Sequence, residues 1–212
     1  MIMESILYRT ITEQDYPQIS EMLCGIWQFD KYLNDENTVR RAGLAFWYSY
    51  LARQNYAEAA ERDGRILGIL LGHCGSLPFP VEHKGFEKEA QRFLREFSRS
   101  GEGRKFYKAQ TRTAKYEHQL LAPYEGRFDA ELVLFATAPE ARGMGVGKTL
   151  LSRFNAFLKE QEAQHAFLLT DSFCNFGFYD HLGYERLAEV EGLLGIEPDG
   201  KPLHFYLYGY EV

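Results

Sequence analysis

The chain has 212 residues, a net charge of −6 at pH 7, and 45% hydrophobic against 25% charged residues. That length suffices for one sizeable core, and the balance is that of an ordinary globular protein. No apolar run reaches membrane-spanning length, Met1-Ile2-Met3-Glu4-Ser5 lacks the basic and apolar regions of a signal peptide, and the acidic charge argues against nucleic acid as the main partner. Cys24, Cys74 and Cys174 are scattered with no Cys-x-x-Cys pair, so a reducing cytoplasm is expected and a metal site is not.

Leu7-Tyr8-Arg9 reads as a first short strand. Thr12 is placed to cap a helix, with Asp15 at the acid position of a capping box and Ile19, Met22, Leu23 and Ile26 following at helical spacing. A second helix, from about Asn37 to Ala52, carries Arg40, Leu44, Trp47, Tyr48 and Leu51. Tyr56 to Glu61 and Ile66 to Leu71 flank Arg62-Asp63-Gly64-Arg65, and Asp-Gly between two apolar runs predicts a hairpin because the turn needs positive φ.

From His73 to Arg127 the connection is too long for a hairpin loop and should carry structure of its own. Pro78 and Pro80 break the chain. Phe86, Ala90, Phe93, Leu94 and Phe97 then mark one helix, with Glu87, Lys88, Arg92 and Arg95 facing water. Ser98 to Gly103 is expected to be a loop, and Phe106 to Leu121 a second helix ended by Pro123 and Gly126. The expectation is an inserted helical hairpin over about 76–127, packed near the functional site or forming a homodimer contact.

Ala130 to Thr137 reads as a buried strand that Pro139 ends, in one antiparallel sheet with the hairpin. Arg142-Gly143-Met144-Gly145-Val146-Gly147-Lys148-Thr149 follows. Val146, Leu150, Leu151, Phe154, Phe157 and Leu158 then recur along one face of a helix reaching about Gln161. Strand, glycine turn and helix start make an anion-binding geometry. The first helical N–H groups lack partners, the dipole is positive there, and glycines let the backbone approach closely. A second apolar strand, Ala166 to Thr170, precedes Asn175 to Tyr184. Tyr184 to Val190, a loop with Gly192, Gly195, Pro198, Asp199 and Gly200, and a strand from Leu203 to Tyr210 close the chain. In that last strand Leu203, Phe205 and Leu207 alternate with His204, Tyr206 and Tyr208, which predicts one buried face.

Three templates compete for the glycine turn. Walker A needs a glycine where Arg142 stands. The dinucleotide fingerprint fails as well, because its last place falls on Lys148 or on Leu150. What fits is Arg142-x-x-Gly145-x-Gly147 after a strand and an x-Pro step, with Tyr179-Asp180-His181-Leu182-Gly183-Tyr184 further on. Together these resemble the acyl-CoA loop and the Tyr-x-x-x-Gly-Phe motif of the GCN5-related N-acetyltransferases, the GNAT family. The specific motifs span Phe135 to Tyr184, and the element order is similar from about Ile6 to Tyr210. Ser172 stands where the family commonly has Asn and Asn175 where it usually has Ala, so the resemblance assigns no pantetheine contact to Ser172.

The resemblance implies a single mixed α/β domain over residues 1–212, with a mostly antiparallel central sheet flanked by helices. It implies transfer of an acetyl group from acetyl-CoA to an amine on a small-molecule or peptide acceptor by direct attack. Such a reaction needs a neutral amine, a donor to the oxyanion and a proton for the leaving thiolate. By resemblance Glu131 is the base and Tyr179 the acid. Strand alternation places Glu131 on the same face as Val133, Phe135 and Thr137. Arg142, Met144, Gly145, Val146, Gly147 and Lys148 would meet the pyrophosphate, Thr149 would add a hydroxyl, and Phe135 and Thr137 would offer backbone groups to the pantetheine arm. Trp47 and Tyr48 would wall the acceptor pocket or simply belong to the core. Two other readings stay open: an acyl-CoA-binding regulatory or sensor module without catalysis, and a nucleotide-phosphate binder using Gly147-Lys148-Thr149. His73, His118 and Cys174 match no hydrolase arrangement, and Cys174 is expected to be a small buried hydrophobe.

Overall fold

The computed structural model describes residues 5–197 and 200–212, so Met1 to Glu4 and the loop positions Pro198 and Asp199 lie outside the described residues. Asp63 and Gly64 take φ of 54° and 76°, which turns the chain sharply between β2 (Tyr56–Arg62) and β3 (Arg65–Cys74). β1 (Leu7–Thr10) pairs antiparallel with β2, and β4 (Ala130–Thr137) pairs antiparallel with β3. β5 (His165–Asp171) runs parallel to β4, and β7 (Leu203–Glu211) lies between β5 and β6 (Glu185–Gly192). The result is a seven-stranded sheet in the order β1-β2-β3-β4-β5-β7-β6.

The Thr12 amide donates to Asp15 Oδ2 at 2.8 Å, as the capping signal requires, and a short 3-10 turn leads into α1 (Tyr16–Ile26). Asp35 accepts from the Thr38 amide at 2.7 Å and starts α2 (Glu36–Leu51). These helices cover one face of β2–β4: Ile19, Leu23, Trp47 and Leu51 pack on Ile69, Leu71, Val133 and Ala136. The opposite face is covered by α5 (Val146–Glu160), whose Val146, Leu150, Leu151, Phe154 and Leu158 meet Leu67, Leu70, Ala130 and Leu132. Gly72 is required there, because a Cβ would lie 2.1 Å from Phe154 Cε2. Among the described residues no helix is long and apolar enough to cross a membrane.

Between β3 and β4 run α3 (His83–Phe97) and α4 (Gly101–Leu121), the inserted helical hairpin. Its arms part. α3 lies against α2, with Phe93 stacked on Tyr48 at 5.8 Å. α4 begins beside Phe29 and Phe97, through Phe106, and ends on β7, where Tyr116 stacks on Phe205 at 4.9 Å. The connection is shorter than the glycines suggested. Ser100 accepts from the Gly103 amide at 2.9 Å, and a Cβ at Gly103 would sit 1.9 Å from the Phe97 carbonyl oxygen. The expected loop over Ser98 to Gly103 is therefore already helical from Gly101. Gly103 serves close approach to the end of α3 rather than a turn. The last strand also departs from expectation: Phe205 and Leu207 are buried on one face, and Tyr206 and Tyr208 on the other. α4 covers the first face while the second joins the α5-side core, so β7 is buried on both sides.

Candidate active site

β4 and β5 are joined only at their foot, where Ala130 pairs with Ala166 and Glu131 with Phe167. Asp129 pins this foot, its Oδ2 accepting from the Gln164 and His165 amides at 2.8 and 2.9 Å. Beyond Glu131 the two strands part. β4 stays on β3 as far as the Gly68–Thr137 pair, while β5 follows β7 to the Asp171–Phe205 pair. The edge of β4 from Leu132 to Thr137 is thus left without a strand partner on the β5 side.

At the top of this gap the chain makes a short turn, Pro139–Ala141, and enters the glycine loop. Gly143 and Gly145 take φ of 76° and 73°, and nothing lies within 4 Å of a Cβ built on either. The first helical bond of α5 runs from the Thr149 amide to the Gly145 carbonyl. The amides of Val146, Gly147 and Lys148 precede that ladder and open at the positive end of a 15-residue helix with no side-chain cap. Gly147 lets the helix close on β4, since a Cβ there would meet Phe135 Cζ at 2.9 Å. Arg142, Met144 and Lys148 are exposed around this cradle. Backbone donors, open glycines and flanking cations fit a pyrophosphate. Ser172 is engaged elsewhere: its Oγ accepts from the His204 amide at 3.1 Å.

At the foot, alternation along β4 does not run as expected. The register with β3 slips between Leu71 and Gly72, which pair with Leu134 and Leu132, so Val133 is an extra residue. Phe135 consequently packs with the α5-side core, whereas Val133, Leu134 and Ala136 pack beneath α1 and α2. Glu131 shares the face of Val133, not that of Phe135 and Thr137. The bulge thus separates Glu131 from the cofactor-side residues of its own strand.

On its face Glu131 meets Arg53, just past the end of α2, at 2.5 Å. Its side chain is 18% exposed while that of Arg53 is 48% exposed, so the pair lines a recess open on the arginine side. Burial pushes the Glu131 carboxyl above its usual range, against the opposing effect of Arg53. His73 is the cross-strand partner of Glu131 on β3. Asp171 follows Phe167 and Leu169 on the same face of β5 and pairs with Phe205, the residue under Tyr116 of α4. Glu117, next along α4, stands within electrostatic reach of Arg53, Glu131 and Asp171. Burial raises its carboxyl, Arg53 opposes the shift, and the charges of Glu131 and Asp171 add to it. Beside Phe167, a cavity of about 420 Å³ opens between the end of α4, Tyr124 and Phe128.

The sequence reading missed Arg53, Glu117 and Asp171, which carry no motif and come together only through the fold. Of the two readings of Trp47 and Tyr48, the structure favours the core. Trp47 is fully buried and belongs to the core, and Tyr48 is half-buried between Tyr16, Phe86 and Phe93. Cys174, expected to be buried, is exposed in the turn after β5. Tyr179 stands in α6 (Gly177–His181), 9% exposed, with Tyr184 and Tyr208 rings at 6.0 and 5.7 Å. Burial raises its phenol well above the usual tyrosine value.

No curated protein matches the sequence. Among solved structures, the Drosophila melanogaster polyamine N-acetyltransferase, described as catalysing the formation of N-acetylagmatine, is 10% identical with a TM-score of 0.56, covering 98% of this chain and 100% of that one. Ard1 from Thermoplasma volcanium is 15% identical with a TM-score of 0.55, covering 99% of both chains. A ribosomal-protein-alanine N-acetyltransferase from Brucella melitensis is 16% identical with a TM-score of 0.55, covering 97% and 99%. At such identities these likenesses speak for the fold. The Acetyltransferase (GNAT) family model matches residues 20–184, and with the splayed strands and the glycine cradle between them, the chain belongs to the GNAT acetyltransferase family.

Proposed function

We propose that the chain is an N-acetyltransferase that moves the acetyl group of acetyl-CoA to a primary amine by direct attack. The observation that carries this reading is that the phosphate cradle and Glu131 lie at opposite ends of one strand, β4, along the edge that β5 leaves free. From Glu131 to Thr137 that edge runs for about 20 Å, room for an extended pantetheine arm paired to the backbone of Phe135 and Thr137. Arg142 and Met144 to Lys148 would hold the pyrophosphate, with the Thr149 hydroxyl beside them. Glu131 takes the proton of the acceptor ammonium, and Tyr179, kept protonated by its burial, gives one to the leaving thiolate.

Two carboxylates, Glu131 and Glu117, beside the Arg53 guanidinium suit a cationic amine. The polyamine enzyme and the ribosomal-protein-alanine enzyme among the similar folds mark two acceptor types to test. In a melting-temperature titration, acetyl-CoA and CoA should each stabilise the protein, by about 2.7 kcal/mol at a hundredfold excess over Kd, and Mg-ATP should not. Release of free CoA is then followed with a panel of agmatine, spermidine, lysine and a peptide beginning with alanine. Amine-dependent release establishes the enzyme. Binding without release from any of them overturns catalysis in favour of a sensor, and stabilisation by Mg-ATP alone overturns the cofactor.

A further inference from the structure

His73 stands where Glu131 has to hand on a proton. The two are cross-strand partners on β3 and β4, so their side chains leave the same face with Cβ atoms about 5 Å apart. Glu131 is largely buried against Arg53. A carboxylate that has accepted a proton in such a place must lose it before the next turnover, and the adjacent guanidinium favours that loss.

The imidazole is built to receive it. Its ring lies 4.5 Å from the Phe79 ring at an interplanar angle of 20°, and Phe79 in turn stacks on His83 at 5.6 Å. Phe79 is itself exposed, so one face of His73 is held by an aromatic ring that reaches solvent while its other neighbours line the recess. Among the described residues His73 makes no ion pair. The charged and titratable groups around it are Arg53 from the end of α2, Glu131 from β4 and His83 from α3, with Glu117 of α4 acting on Arg53 and Asp171 of β5 acting on Glu117. Burial first, and the charge of Arg53 second, hold the ring below the usual histidine value. It is therefore neutral and able to accept at neutral pH.

We infer that His73 is a proton-relay residue, taking from Glu131 the proton that Glu131 removes from the acceptor and releasing it to solvent beside Phe79. The inference rests on the acetyltransferase reading above. In the balanced step the ammonium gives one proton to Glu131, and the freed lone pair forms the N–C bond as the thioester C–S bond breaks. The thiolate takes a proton from Tyr179, and the second nitrogen proton returns to the Tyr179 phenolate. The Glu131 proton passes to His73, and water takes it from the imidazolium.

The test compares wild type with His73→Asn and His73→Gln, using acetyl-CoA and the fastest amine of the panel, with imidazole titrated into the buffer. Both variants should lose about tenfold in kcat, within the range of a proton-transfer defect. Their KM for acetyl-CoA and melting temperature should be unchanged, and added imidazole should restore kcat. Wild-type kcat should not depend on imidazole. Variants with wild-type kcat, or with a loss that imidazole does not restore, overturn the relay. If neither variant folds, the wild-type titration decides, because a kcat that rises with imidazole means that no internal relay operates. Wild-type inactivity with every amine is the failure of the acetyltransferase reading, and the relay falls with it. Wild-type turnover with unaffected variants is the failure of the relay alone.

Discussion

Arg53 Nη2 meets Glu131 Oε1 at 2.5 Å across 78 residues of sequence. The guanidinium favours the charged carboxylate, whereas burial favours the neutral acid. Arg53→Gln removes the opposing influence and leaves burial, so the Glu131 carboxyl moves further up. A base must be deprotonated to act, and the acidic limb of kcat/KM should therefore shift to higher pH in this variant. Glu131→Gln should flatten that limb and lower kcat by about a hundredfold or more, with acetyl-CoA binding intact. A limb that stays in place in Arg53→Gln would separate the ion pair from the chemistry.

Tyr179 packs its ring against Tyr184 and Tyr208 while its phenol is held above the usual range. Tyr179→Phe keeps the ring and removes the proton donor. The expected result is a fall in kcat of roughly tenfold or more with an unchanged melting temperature. Because the folded pKa is raised, the wild-type rate should show no basic limb from this group between pH 8 and about 10. Wild-type turnover in Tyr179→Phe would remove it from the mechanism.

Gly147 and Phe135 give a test of the cradle itself. Adding a Cβ at Gly147 brings it to 2.9 Å from Phe135 Cζ, so Gly147→Ala should destabilise by about 1–3 kcal/mol and raise KM for acetyl-CoA by tilting the start of α5. Phe135→Leu in the same chain removes the ring edge and should recover part of both losses. A double-mutant cycle by urea unfolding measures the coupling. Strict additivity would show that the clash is relieved elsewhere.

Asp15 carries a stability prediction far from the site. Hydrogen bonds from Arg9, and then from Thr12 against the cost of burial, hold its carboxyl at about 2. The ordinary value is about 3.9, so the shift contributes roughly 2 kcal/mol to folding. The folded pKa is depressed, so this contribution is complete above the unfolded value and disappears as pH falls through 4 toward 2. Urea midpoints should drop across that window in wild type and much less in Arg9→Gln. At pH 7, Asp15→Asn should be the less stable protein by about the same roughly 2 kcal/mol.

Part of the candidate site is legible in the sequence. The glycine turn could be read because its residues answer to local backbone demands, with positive φ at Gly143 and Gly145 and an approaching ring at Gly147. Tyr179 was legible through its register with Gly183 and Tyr184. Arg53, Glu117 and Asp171 were not, because each looks like an ordinary polar residue at the end or on the flank of its own element. The inserted hairpin was visible as two helices, but nothing in its periodicity said that α4 would pass from the Phe29–Phe97 cluster over to Phe205.

The chain by itself determined its elements, its turns and the glycine loop at the start of α5, because helical and strand periods, caps and glycines act over a few neighbouring residues. Tertiary structure alone decided which face Glu131 occupies. One extra residue, Val133, resets the alternation of β4, and that slip is specified by pairing with β3 and by Phe154 filling the space over Gly72. Tertiary structure also decided that Arg53, His73 and Glu117 gather around Glu131. Four elements separated by long stretches of chain have to close on one sheet before those charges share a recess.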